Sequence, residues 1–471
     1  MMRGALLASA VTCMAFTGLA KAQRVDRANV PPAGQAAAFA FPRMQTRVLD
    51  NGLRVIVVED HSLPLVAVRA VVLADSLDDP EGKEGLYVLT AGMLREGTAT
   101  RTGDQLAAAA AMLGNPVFPF RFTTITQNLD QSLALMADML MHPSFPPEAL
   151  DRLKTTLGAN QQRQLQQPAT VPNRIFLSRL FGADNAVARS AGATEATMAG
   201  VTREDLQHFH ETYFRPNNTT IVVVGDVNEQ SVASVAAKSF GSWQRGPVSR
   251  GERAEVSPRL PTTLFLLDRP GAQQSYLFVG SLGPGRLSKD AAALEVMAPI
   301  LGASGGSRLY DNLRERHAYM YAGTPATVAW RQAPFPSVVG GSAAVATAKT
   351  DSALIEWLGE LRGIREREPS EREMTLARGA LVGALPSQIE TDDLVANRIM
   401  TMIQNGLPLD FYTAYGPRIE AVTPAAVLTA AAKYIDLAHL VIVVAGDRKI
   451  VEPLLRAANL GPIVIVDEGA K

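Results

Sequence analysis

Apolar residues fall in two kinds of run along this chain. Short, β-branched stretches predict strands: Arg54-Val-Ile-Val-Val-Glu59, Val66-Ala-Val-Arg-Ala-Val-Val72, and Thr220–Val224, the last continuous enough to be buried on both faces and ended by Gly225-Asp226. The first two join through His61-Ser-Leu-Pro64. Longer stretches with apolar residues three and four apart predict helices over 105–113 and 131–141. Further along, Leu264–Leu267 and Tyr276–Val279 predict two more opening strands, and 290–301, 352–364 and 371–385 predict helices. Strands, then helices, then a strand, twice over, predict an α+β architecture of mixed layers.

The two rounds match each other. Val201-Thr202, Tyr213 and Ile221–Asp226 recur as Val422-Thr423, Tyr434 and Ile442–Asp447, always 221 residues later. A constant register of this kind indicates a duplicated unit. In the first copy, Thr202 with Asp205 is placed to cap a helix, and Leu206, Phe209 and Tyr213 then follow at helical spacing. Between the copies, 241–261 is polar, punctuated by Gly and Pro and without hydrophobic period, so it reads as a linker. The expected organisation is a first domain over 41–240, the linker 241–261, and a second domain over 262–466.

Composition narrows the function. The 471 residues carry 45 basic and 46 acidic side chains, a net charge of −1, which argues against a general nucleic-acid binder. The start is a basic Met1-Met2-Arg3, an apolar run to Ala20, and Ala20-Lys21-Ala22, the pattern of a signal peptide over 1–22. The chain is therefore expected to be exported, most simply to a periplasm, with no membrane association after cleavage. Its one cysteine, Cys13, leaves with that segment, so disulfides and thiolate metal sites are excluded.

Other chemistries find little support. The six histidines include no pair at metal-binding spacing; Glu204, His208 and Glu211 share a helix face, which reads more simply as a solvated charged surface. Gly302-Ala-Ser-Gly-Gly306 lacks the Gly-Lys-Ser/Thr ending of a phosphate loop and reads as a turn.

Three ordered segments carry a resemblance: Asn51–Asp60, Tyr213–Asp226 and Ser307–Tyr321. With them the chain resembles the insulinase/pitrilysin-type zinc peptidases, in particular the half-length branch that includes the processing peptidases, from about Phe41 to Val466. The resemblance implies two homologous α/β layer domains arranged as a clam shell. In that family an H-x-x-E-H motif lies within G-L-x-H-x-x-E-H-M-L-x-x-G-T; its two histidines, on one helix face, ligate zinc and its glutamate acts as general base. Here Gly85–Thr98 keeps the frame, but Val88 and Gly92 stand at the histidine positions and Ala91 at the base. The family's third ligand, a glutamate some seventy-odd residues further on, has no candidate, because 152–183 contains no Asp, Glu, His or Cys. No metal is expected in this chain.

The family's arginine and tyrosine, seven residues apart, match Arg314 and Tyr321. There they hold the substrate backbone and stabilise developing charge. The plainer alternatives are an Arg314–Glu315 pair and a core position for Tyr321; Arg308 reads as a packing or ion-pair residue. The resemblance implies the non-catalytic subunit of an exported heterodimeric metallopeptidase, with zinc in a partner of the same family and a peptide as substrate. Two alternatives stay open. One is a non-enzymatic peptide-binding or scaffold protein of the same fold; the other is an enzyme with an unrecognised site.

Overall fold

The computed structural model describes residues 39–114, 119–249, 256, 259–303, 305–332 and 335–468. The expected signal peptide lies outside the described residues, as does much of the later part of the expected linker. The first half runs β1 (Gln45–Val48), β2 (Arg54–Glu59), β3 (Leu65–Val72), α1 (Leu86–Met93), α2 (Gly103–Met112), β4 (Arg121–Ile125), α3 (Leu129–Met141), α4 (Pro147–Leu165), α5 (Thr170–Phe181), α6 (Ala186–Ala191), α7 (Glu195–Ala199), α8 (Arg203–Tyr213), β5 (Thr219–Gly225) and α9 (Glu229–Phe240). The second runs β6 (Thr263–Asp268), β7 (Gln274–Leu282), α10 (Ala291–Leu301), and α11 (Arg308–Tyr310), which continues as a π-helical turn over Asp311–Arg316. It goes on through β8 (Met320–Ala329), β9 (Val338–Ala346), α12 (Thr350–Glu366), α13 (Glu371–Gly383), α14 (Asp392–Gln404), α15 (Tyr415–Glu420), α16 (Pro424–Tyr434), β10 (Val441–Gly446), α17 (Arg448–Ala458) and β11 (Ile463–Val466).

Each half builds one sheet, ordered β1-β2-β5-β3-β4 and β11-β6-β10-β7-β9-β8. The β-branched strand expected to be buried on both faces, β5, and its repeat β10 lie inside their sheets, each parallel to one neighbour and antiparallel to the other. Gly225 closes β5 because nothing larger fits: its φ is +136° and a Cβ there would lie 2.1 Å from the Leu65 carbonyl oxygen. At α8 the Thr202–Asp205 capping box is present as the sequence suggests. The start of the expected linker is tied down. Trp243 is buried beside Phe240, and the Asn217 side-chain amide exchanges two hydrogen bonds with the Gly246 backbone, 2.9 and 3.1 Å.

Alternation along the strands explains how the halves meet. In the first sheet Val55, Val57, Val66, Val68, Ile221 and Val223 face that half's own α1, α3, α8 and α9. The other face, with Ile56, Val58, Ala67 and Val222, would be left wet by those helices; it is covered by α14 of the second half. The exchange is reciprocal. α5 of the first half lays Val171, Ile175, Phe176 and Leu180 against Phe265, Leu267, Phe278 and Val443 of the second sheet. Each such side chain contributes about 1.5–3 kcal/mol on full burial, so the crossed helices tie the two halves together.

The duplicated register extends into this exchange. Arg69 pairs with Val222 and Phe278 pairs with Val443, and those valines are 221 residues apart. Phe278 meets Phe176 of α5 with ring centroids 5.8 Å apart. Arg69 meets the residue 221 beyond Phe176, Asn397 of α14, whose side-chain oxygen accepts from Nε at 2.9 Å. Arg69, 1% exposed, also pairs with Asp393. One contact is aromatic in one copy and charged in the other.

Candidate functional site

The frame Gly85–Thr98 begins on α1. The amide groups of Gly85 and Tyr87, at the helix start, have no acceptor within the helix. Asp79 supplies one, accepting from Gly85 at 2.8 Å and Tyr87 at 2.7 Å. Burial pushes the Asp79 carboxyl up to about 7, against these two bonds, with Glu84 and Asp78 adding to the rise. Arg189 stands beside the cluster, 3.9 Å from Glu84, and donates to the Asp79 carbonyl oxygen at 3.3 Å.

The positions of the zinc motif are folded as a helix but hold nothing that ligates. Val88 points outward, 42% exposed, and Ala91 and Gly92 are half-buried. A Cβ on Gly92 would lie 2.8 Å from Cδ2 of Leu153 on α4. A leucine from the neighbouring helix therefore takes the space into which a histidine at 92 would grow. The region expected to offer a third ligand is occupied by amides: Gln161 donates to the Ala193 carbonyl at 2.6 Å and Gln162 to the Glu195 carboxylate at 3.2 Å. Among the described residues no three His, Cys, Asp or Glu side chains are grouped to hold a metal. An apolar contact, a glycine and two amides do not fit zinc, whose sites need at least three His, Cys or carboxylate ligands.

Arg314 and Tyr321 stand on the other half. The motif helix α1 packs on α4 and α8, whereas the turn that carries Arg314 packs on α12 and β8. That turn is held from within by Asn312, whose buried amide donates to Glu356 at 3.0 Å and Glu360 at 2.9 Å. Arg314 remains exposed, its guanidinium 5.0 Å from the Tyr310 ring centre and 3.8 Å from Glu315. Tyr321 is 75% exposed on β8, the outermost strand of its sheet, so it is not a core residue. Arg308 makes the ion pair expected of it, a two-pronged contact with Glu373 at 2.6 and 3.1 Å. Burial alone would raise Glu373, but Arg308 and Ser370 bring it down to about 2.

The remaining candidates separate. Glu204, His208 and Glu211 are exposed on α8. Gly302-Ala-Ser-Gly-Gly306, which also spells Gly-x-Ser-x-Gly, follows a helix; the strand that precedes a nucleophile elbow is missing, and Ser304 itself lies outside the described residues. Sequence reasoning missed Asp79, Leu153 and Arg69. Only Arg69 left a signal, a lone charge inside an apolar strand.

Known proteins resemble this arrangement. The family model described as the Peptidase M16 inactive domain matches residues 200–381. An uncharacterized zinc protease of Mycobacterium leprae is 23% identical over 360 residues, covering 74% of this chain and 80% of its own length. A non-peptidase homolog, YmxG, of Helicobacter pylori is 23% identical over 372 residues, covering 76% and 83%. The crystal structure of the peptidase M16 inactive domain from Pseudomonas fluorescens superposes with a TM-score of 0.76 at 22% identity, over 86% of this chain and 98% of that one. With its two sheet-bearing halves, its retained Gly85–Thr98 frame and these matches, the chain has the fold of the insulinase/pitrilysin (M16) peptidases, and its residues 200–381 match that family's inactive domain.

Proposed function

We propose that this protein is the non-catalytic subunit of an exported heterodimeric zinc metallopeptidase. It closes the chamber over a peptide and presents Arg314 and Tyr321 to it, while a zinc-bearing partner of the same family supplies the metal. The observation that carries this reading is an asymmetry. The motif positions are filled by Val88, Ala91 and Gly92, with Leu153 packed on the glycine, yet Arg314 and Tyr321 are kept at family spacing and left open to solvent. A guanidinium offers fixed donors to a peptide carbonyl, and a phenol hydroxyl donates to an oxygen that gains charge. The name of the Helicobacter pylori relative, a non-peptidase homolog, is in keeping with it.

The test is reconstitution. The chain alone should cleave no peptide; mixed with a zinc-bearing relative from the same source it should restore cleavage, and Arg314→Ala should then lower the rate about ten- to hundredfold. An inert mixture, or a rate indifferent to Arg314→Ala, overturns the proposal. The stacking of Arg314 on Tyr310 and its nearness to Glu315 favour a second reading, a peptide-binding scaffold with no catalytic partner. That reading predicts peptide binding by the isolated chain and an inert mixture.

A further inference from the structure

Where the two halves meet beside α1, the chain lines a half-open cavity of about 290 Å³. Val72, Leu73 and Ala74, at the end of β3, are part of its lining. Its polar groups come from both halves: Asp75 and Tyr87 from the first, and Gln332, Gln404 and Asn405 from the second. No Lys, Arg or His is among the described residues that line it, so the one formal charge is the Asp75 carboxylate. That carboxylate is half-buried and caps the turn that follows, accepting the Leu77 amide at 2.8 Å and the Asp78 amide, with no ion pair among the described residues.

Three further features make the cavity receptive to positive charge. Gln404 and Asn405 close the C-terminus of α14, where a helix of thirteen residues presents the negative end of its dipole, its last carbonyls being capped by the amides that follow. Burial raises the Tyr87 phenol, and the carboxylates of Asp75, Asp79 and Asp78 raise it further, as expected of a site surrounded by negative charge. The three amide side chains offer carbonyl oxygens, and that of Gln332 is buried without a hydrogen bond. The volume lies just below the range for small-molecule sites, so it suits a group of amino-acid side-chain size.

We propose that this seam cavity binds the guanidinium head of an arginine-like ligand. Five planar donors match one carboxylate and several amide oxygens spread around the wall, where an ammonium would offer three. Binding there would join β3, α1 and α14, and so bridge the halves. This inference does not rest on the proposed function, because every group it uses belongs to this chain and no partner or zinc enters its test.

The probes are N-acetyl-arginine amide and its neutral isostere N-acetyl-citrulline amide, titrated calorimetrically into the isolated full chain at low ionic strength. The arginine compound should bind at least tenfold more tightly. Asp75→Asn should remove that preference. Because Asp75 also caps the turn at Ser76–Asp78, Gln332→Leu, at a side-chain oxygen with no hydrogen bond to lose, is measured beside it and should weaken the arginine compound at least threefold with unchanged circular dichroism. Equal affinity for the two probes, no binding of either at millimolar concentration, or an effect in neither variant overturns the proposal.

Discussion

Gly92→His restores one histidine of the zinc motif and tests what now fills its place. A Cβ alone would come within 2.8 Å of Leu153 Cδ2 and 3.5 Å of Cδ1, so Leu153 must move before an imidazole enters. Leaving glycine gains about 0.5 kcal/mol of helix propensity. Forcing extra volume between packed helices costs about 1–3 kcal/mol. The balance predicts that Gly92→His loses about 1–2 kcal/mol, read as a lower urea midpoint with unchanged slope. Leu153→Ala alone should cost about 2–4 kcal/mol, since Leu153 is only 9% exposed. The double variant should then be more stable than the sum of its parts by about 1–2 kcal/mol. In the same background, Val88→His/Ala91→Glu/Gly92→His should still hold well under one zinc per chain by equilibrium dialysis, because 152–183 supplies no third ligand. A Gly92→His chain as stable as the parent, additivity within about 0.5 kcal/mol, or stoichiometric zinc in the triple variant would refute the reasoning.

Three other outcomes follow. Arg69→Met removes the charged tie between β3 and α14 and should cost about 2–4 kcal/mol, below the full value for a buried pair because Asp393 is half-exposed and rehydrates. Amide exchange should quicken across α14, and an unchanged α14 contradicts the tie. Burial holds the His210 imidazole down to about 4, although its hydrogen bond to the Leu140 carbonyl at 2.8 Å works the other way. The unfolded chain therefore takes up a proton first, and stability present above pH 6.5 is lost as the pH falls towards 4, by up to about 3 kcal/mol. His210→Gln, which keeps the donor, should flatten that part of the urea-midpoint profile; identical profiles would show that His210 is not the group responsible. Glu373 contributes in a lower window. Its stabilisation is present above pH 4.5 and fades towards 2, so Glu373→Gln should lower the stability above pH 4.5 and remove the fall below it.

How much of this was legible depends on the range of the interaction. Local patterns read well: β2 spans the residues its β-branched run marks, and the Thr202–Asp205 capping box forms as its spacing requires, because strands and caps are set by neighbours in sequence. The duplication was visible over a short terminal stretch, but its reach into β3, β7, α5 and α14 was not, because the residues that changed, Phe176 against Asn397 and Phe278 against Arg69, no longer look alike. The exchange of helices between halves left no mark, since an amphipathic helix does not say which sheet it covers. Val88, Ala91 and Gly92 could be read as missing ligands; that Leu153 fills the gap could not, because it joins positions 61 residues apart through packing. Tyr321 was open between a core and a surface role, and an edge strand decides it.

The central claim is that this chain has no zinc site and acts beside a chain that does. Co-purification from the native source, with metal quantified per polypeptide, tests it most directly. The account predicts no zinc on the isolated chain and one zinc per pair in a complex with an H-x-x-E-H relative. One zinc bound to the chain alone, or a native preparation with no such relative in it, would contradict it.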